Sequence, residues 1–393
     1  MKISLNKNDE QVALIKALAS KNRDTAYQAQ VALAGFIGSV LAEVINNAPT
    51  ISNLFTSQTY MADDNPSIPL DLYSDIFDED YIKVYSQSVA GGLPQNVVQP
   101  SASELKVATY RLDSACAFDK KYAAKSRLDV VSKTFTKIAQ EVMLKQEKTS
   151  ANLLMGALAA ASTGKDGTAA NNYHVFRTAA ANRFVPHDLN KLFTKIKRNN
   201  ASFVGGTPSG ARRGLTDILI SPEAMEELRG MAYNPINTKV APVATPSTSY
   251  TAGNAPVMVS EDVRAQMFTQ AGIPDFMGVS IMEILELGVG RKFNTVFDVL
   301  AGATAFADHY NINAYSGTAT AFDGAAEEIL IGLDRSRDSL IRLVALDADS
   351  GSEFSLQADD QYIGTRNSKI GFYGSLEEGR VVLDNRALCG LIL

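Results

Sequence analysis

The stretch KIGFYGSLEEGRVVLDNRALCGLIL, Lys369 to Leu393, constrains the fold more than any other part of the chain. Apolar and polar residues alternate through it around Gly371 and Gly374, the period of strands that bury one face. A polar run from Asp359 to Asn367 leads into it. Because it comes so late in 393 residues, these strands must enter sheets whose other members were made much earlier. The fold therefore depends on long-range strand pairing.

At 46% hydrophobic and 20% charged, the chain is globular in composition and long enough for two lobes. A net charge of -6 argues against a protein whose main work is coating DNA, which relies on clustered Lys and Arg. Cys116 and Cys389 lie far apart, so no disulfide framework or Cys-based zinc site is implied, and both are expected to be small buried apolar residues in a reducing cytosol. The N-terminus MKISLNKNDEQV lacks the apolar core of a signal peptide. Val31 to Ile45 contains Gly35, Gly38, Ser39 and Glu43 and falls short of the roughly 20 apolar residues a membrane span needs, so a packed helix is expected there.

Residues 9–18 and 24–46 read as helices, the second with Asp24 as N-cap and Pro49 just beyond its end. From Thr50 to Pro69 the chain is polar and aperiodic, an extended arm that needs a partner to order it. Asp80 to Arg111 places two alternating segments, Tyr81 to Ser86 and Ser103 to Tyr110, around Ala90-Gly91-Gly92-Leu93-Pro94, which predicts a long polar hairpin. A lone hairpin is marginal in water, so this one lies against its own domain or against a neighbouring subunit. Ser132 to Ser162 has apolar residues at helical spacing, including Phe135, Ile138, Val142, Leu154 and Leu158, and predicts a helix roughly 45 Å long. The glycine-rich exit Thr163 to Thr168 marks the lobe boundary. A second lobe runs from about Ala169 to Leu333, and its clearest unit is the buried strand Thr216 to Ile220, then Ser221 as N-cap and Pro222 opening a helix. The Pro-, Thr- and Ser-rich stretch from Asn234 to Pro256 is expected to be an exposed loop.

Motifs of chemistry are weak throughout. Gly288-Val289-Gly290 begins a dinucleotide fingerprint, but Phe293 stands where the third glycine must be. Gly205 to Arg212 lacks the Lys-Ser/Thr of a phosphate loop. His174, His187 and His309 have no metal-ligand spacing. Asp347 to Glu353 has Ser352 where a calcium loop needs glycine and Ala358 where it needs glutamate, so a solvated turn is expected. Ser162-Thr163-Gly164-Lys165 fits a Ser-x-x-Lys spacing without its companion motifs. No motif supports an enzyme, and no cofactor, metal or catalytic residue is assigned.

Lys369-Ile370-Gly371-Phe372-Tyr373-Gly374 and Val381-Val382-Leu383-Asp384 resemble the carboxyl-terminal segment of major capsid proteins of tailed bacteriophages. The order of elements is likewise similar to the Hong Kong 97-type (HK97-like) capsid fold. The resemblance implies an α+β fold in five parts: residues 1–74, N-terminal helices and arm; 75–112, an extended hairpin loop reaching over an adjacent subunit; 113–168, a peripheral domain with a spine helix; 169–333, an α/β axial domain; and 334–393, strands completing both domains. It implies a structural protein, not an enzyme, that self-assembles through pentamers and hexamers into an icosahedral shell enclosing packaged double-stranded DNA. Scaffold, portal and decoration proteins are further partners, DNA is touched weakly from inside, and no membrane is involved. The location implied is the virion, assembled in the host cytoplasm.

Inter-subunit contacts are expected from Tyr81, Lys83, Tyr85, Gly91, Gly92, Leu93, Pro94, Lys106, Tyr110, Arg212 and Arg213. The basic residues Lys195, Lys197 and Arg198, with Arg212 and Arg213, pair with acids of a neighbour or face DNA, the first being favoured. Because Met1 is present, assembly is expected to use a separate scaffold or none, and the loop centre Gly91 to Gln95 has no lysine for covalent cross-linking. An encapsulin-type nanocompartment shell protein is the near alternative. A cytosolic α/β enzyme with its substrate under the hairpin is the alternative of another class.

Overall fold

The computed structural model describes residues 8–46, 51–61, 66–69, 104–125, 127–160, 174–178, 186–199, 214–233, 275–276, 278–302, 312–313, 319–320, 322–337, 339–347, 351–359 and 369–393. In chain order these form α1 (Asp9–Leu18), α2 (Arg23–Asn46), a 3-10 turn (Ile51–Leu54), β1 (Thr56–Met61), β2 (Ser67–Pro69), β3 (Glu104–Lys106) and β4 (Tyr110–Asp119). Next come α3 (Lys120–Ala124), α4 (Leu128–Ala159), β5 (Val175–Arg177), α5 (Pro186–Asn199), β6 (Asp217–Ile220), α6 (Pro222–Tyr233), β7 (Asp275–Phe276) and β8 (Val279–Glu283). The chain continues through α7 (Lys292–Ala301), β9 (Ile312–Asn313), β10 (Ala319–Thr320), β11 (Ile329–Leu333), β12 (Leu340–Leu346), β13 (Ser355–Asp359), β14 (Lys369–Val382) and β15 (Leu388–Ile392). Helices and mostly antiparallel sheets coexist, so the α+β class holds.

The chain divides into two compact units, the first made of Met1–Ser150 and Leu340–Val381 and the second of Ala151–Ser339 and Val382–Leu393. In the first, β14 is the central strand: it pairs antiparallel with β13 and with β4, while β12 pairs with it and carries β1 in parallel at the edge. Side chains of β4 alternate between half-buried and exposed, as a strand covering one face requires. The core places Ile15, Leu33, Ile37 and Leu41 of the first two helices with Phe135, Ile138 and Val142 of α4 and Phe372 of β14. Gly374 is required at its position. A Cβ there would lie 2.5 Å from the ring of Phe354, a buried side chain with no room to move aside.

The second unit is built on a six-stranded sheet, β5-β15-β11-β6-β8-β7. The strand-to-helix unit reads as the sequence predicts: every residue of β6 is buried, Ser221 Oγ accepts from the Ala224 N–H at 3.0 Å, and Pro222 opens α6. Leu189, Leu192 and Ile196 of α5 pack into the same core as Ile218, Met225 and Leu391.

Several expectations are corrected by the tertiary structure. Helix α2 starts at Arg23, and Asn22, not Asp24, caps it: the Asn22 Oδ1 accepts from the Asp24 N–H at 3.2 Å. Asp24 sits in the first turn, where its charge meets the helix dipole. The spine helix begins four residues earlier than Ser132, at Leu128. The arm from Thr50 to Pro69 finds its partner inside its own chain. Residues Thr56–Met61 pair in parallel with Ile341–Leu346, so β12 orders this part of the arm from one side and β1 forms the edge of the sheet. By length and composition α2 could cross a membrane, but its row Ala29, Leu33, Ile37, Leu41 and Ile45 is buried in the core of the first unit.

Candidate functional site

Most of the hairpin expected over residues 75–112 lies outside the described residues, and with it Tyr81, Lys83, Tyr85, Gly91, Gly92, Leu93 and Pro94. Its base is described. β2 and β3 pair antiparallel, Ser67 with Lys106 and Pro69 with Glu104, and the Val107 N–H donates to the Pro66 carbonyl at 3.2 Å. The return segment predicted as one strand from Ser103 to Tyr110 is two: β3 pairs with β2, then residues 107–109 intervene and β4 runs along β14 from the Tyr110–Glu378 register. Lys106 is exposed beside this base. Tyr110 is turned into its own unit, where its hydroxyl donates to Glu378 Oε1 at 2.6 Å.

Glu378 is the centre of a buried ionic cluster at the start of β4. Its carboxylate accepts from Arg342 Nε at 2.8 Å, from Arg380 Nη2 at 3.0 Å and from Gln146 Nε2 at 3.1 Å, besides Tyr110. The Arg380 guanidinium also donates to Ser150 Oγ at 2.6 Å and Ser52 Oγ at 2.7 Å, and it lies 5.4 Å from the Phe55 ring. One cluster thus joins β4, β12, β14, α4 and the turn before β1. Burial pushes the Glu378 carboxyl up, but the Arg380 and then the Arg342 charges outweigh it and hold the group below the usual carboxylate range. Burial and the Glu378 charge push the Tyr110 hydroxyl up to about 12, so it stays a donor.

Sequence reasoning missed this cluster, although two signals announce it. Glu378 and Arg380 are two apart in a strand, hence on one face, and Arg342 is a lone charge in the apolar run LIRLVAL. A charge in such a run needs a buried counter-charge.

In the second unit, His174 is fully buried; its Nδ1 donates to the Asn385 carbonyl at 3.0 Å. Burial, with the nearby Lys195 charge in the same direction, pulls its pKa down to about 4 from 6.5. Between those values the unfolded chain takes a proton that the folded one refuses, so stability is full above pH 6.5 and falls as the pH drops toward 4. Thermal melts from pH 7 to pH 4 should show this loss, and His174→Gln should flatten it; an unchanged slope in that variant would contradict the assignment. His187 is exposed on α5, and His309 lies outside the described residues. Cys389 is buried and Cys116 half-buried, and burial pushes their thiols up to about 12 and about 11, which leaves both inert.

Phe293 is buried at the start of α7, with its N–H on the Glu286 carbonyl at 3.0 Å, so the Gly288 to Phe293 stretch is a turn into a packed helix. Among the described residues, no group of His, Cys, Asp and Glu could hold a metal ion. Arg212 and Arg213 lie outside the described residues, whereas Lys195 and Lys197 are on α5, half-buried and exposed.

No protein-family model and no curated protein matches the chain. Solved structures do. The chain is similar to the capsid of cyanophage P-SCSP1u at 14% identity, over 88% of both chains, with a TM-score of 0.44. It is similar to the capsid of an empty GTA particle at 12% identity, over 88% of this chain and 90% of that one, with a TM-score of 0.44. The SrpI encapsulin of Synechococcus elongatus matches at 12% identity over 74% of both chains, with a TM-score of 0.34. At such identities and scores the likeness assigns no residue a role.

Proposed function

We propose that this chain is the major capsid protein of a tailed bacteriophage, of Hong Kong 97 type, which self-assembles into an icosahedral shell around packaged double-stranded DNA. The observation that carries this reading is the way one chain makes two units. The first unit is closed by Leu340–Val381 only after Ala151–Ser339 of the second unit, which Val382–Leu393 then completes, and the last strands β14 and β15 are central in one sheet and internal in the other. This is the late-completing order that the Lys369 to Asp384 resemblance implies. The paired strands β2–β3, followed after three residues by Tyr110 with its hydrogen bond to Glu378, support the reading of the residues between them as a loop that projects to a neighbour. Such a loop gains a partner in a closed symmetric array, where many moderate interfaces repeat.

A non-enzymatic role, location in the virion, and assembly as pentamers and hexamers follow from the same reading. Electron microscopy of the protein from its native source tests it. Uniform icosahedral particles with a dense DNA interior are expected; similar but smaller shells holding protein cargo would make it an encapsulin, and dimers or tetramers alone under all salt conditions would overturn both.

A further inference from the structure

Helix α5 is the most basic described element of an acidic chain, with Lys191, Lys195, Lys197 and Arg198 against Asp188 in a protein of net charge -6. Its buried row, Leu189, Leu192 and Ile196, faces the core, and the opposite side borders an open cleft of about 360 Å³ next to the edge strand β5. Phe176 forms the apolar floor, and His187, Asn190, Lys191, Thr194 and Lys195 line the rest. Asp188 on the same helix is fully buried, and its Oδ1 is 3.7 Å from Lys191 Nζ. An apolar floor with a cationic rim fits a peptide that carries both apolar and acidic side chains.

The chain contains one such peptide. Residues 71–80 bring together Asp71, Asp75, Asp78, Glu79 and Asp80 with Leu72, Tyr73, Ile76 and Phe77, and no Lys or Arg occurs between Leu70 and Ile82. The segment follows directly on Pro69, held at the loop base by its pairing with Glu104. Fully extended, its residues reach about 35 Å from that anchor. We infer that the α5–β5 cleft is the docking site for this acidic segment of a second copy of the chain, with Ile76 or Phe77 on Phe176 and the carboxylates on Lys191 and Lys195. The inference rests on the reading of the chain as a self-assembling subunit and assigns one of its contacts.

The test mixes ¹⁵N-labelled and unlabelled full-length protein in its assembled form and treats it with a zero-length carbodiimide cross-linker. Cross-links from Lys191 or Lys195 to Asp75, Asp78, Glu79 or Asp80 are expected between labelled and unlabelled chains. Their absence, or their occurrence within single chains only, would overturn the inference. In sedimentation velocity, Lys191→Glu/Lys195→Glu should lower the assembled fraction at least about fivefold, and Asp78→Lys/Glu79→Lys likewise, each with an unaltered far-ultraviolet circular dichroism spectrum. The four substitutions combined should recover assembly to within about twofold of wild type. Failure of the combination to recover it would sink the pairing, and so would a lysine variant that assembles normally and loses only nucleic acid from its particles, since the cleft would then face DNA. A small oligomer that still gives the inter-chain cross-links would refute the shell reading and leave the docking site standing.

Discussion

Glu378→Ala is expected to destabilise the protein by about 3–5 kcal/mol, the scale for breaking a buried ionic cluster by removing one member. The substitution leaves the Arg342 and Arg380 guanidiniums buried without the carboxylate they share and takes the acceptor from the Tyr110 hydroxyl and the Gln146 amide. Arg380 would keep its two serine hydroxyls, which carry no charge to offset its own. Glu378→Gln preserves shape and some hydrogen bonds but not charge, and should fall between wild type and alanine. Urea denaturation followed by circular dichroism checks this, and a loss for Glu378→Ala under about 1 kcal/mol would show that the arginines find water instead. The expected loss is a large share of the 5–15 kcal/mol that typically separates folded from unfolded states. It should also loosen the start of β4, because Tyr110 begins that strand.

Phe372→Ala should cost a similar amount, about 3–5 kcal/mol, for a different reason. The Phe372 ring is fully buried between Phe118, stacked at 6.1 Å, and Phe135 of α4, edge-on at 5.2 Å. Removing it opens a cavity where the central strand meets the spine helix, and neither neighbour can close it without leaving its own contacts. Phe372→Leu retains most of the volume and should lose far less. Because Phe135 and Phe372 touch, the double variant Phe135→Ala/Phe372→Ala should cost less than the two single losses added; strict additivity would mean that the rings pack independently. The readout is again the urea midpoint, with the dependence on urea unchanged.

The candidate contact surface was only partly readable in advance. The sequence groups Lys195 and Lys197 in a basic cluster, but that they stand on helix α5, and that Lys191 and His187 share a cleft with Phe176, depends on the fold and on β5 being laid beside β15. Tyr110 belongs by pattern to a loop strand. Its hydroxyl is claimed by Glu378, which lies hundreds of residues on and pairs with it only through the β4–β14 register.

By itself the sequence determined what depends on near neighbours. The apolar spacing of α1, α2 and α4, the Ser221-Pro222 start of α6 and the alternation of β14 are written within one or two turns of chain, where side chains at i+2, i+3 and i+4 decide which face is buried. The tertiary structure alone decided that the aperiodic arm becomes β1 by pairing with β12, and that β14 is central. It alone brought Arg342, Glu378 and Arg380 together with residues of the spine and the arm. Polar strands and single charges carry little local signal, and their partners are chosen by register across long stretches of chain, once the surrounding core has fixed which backbone edges and which counter-charges are within reach.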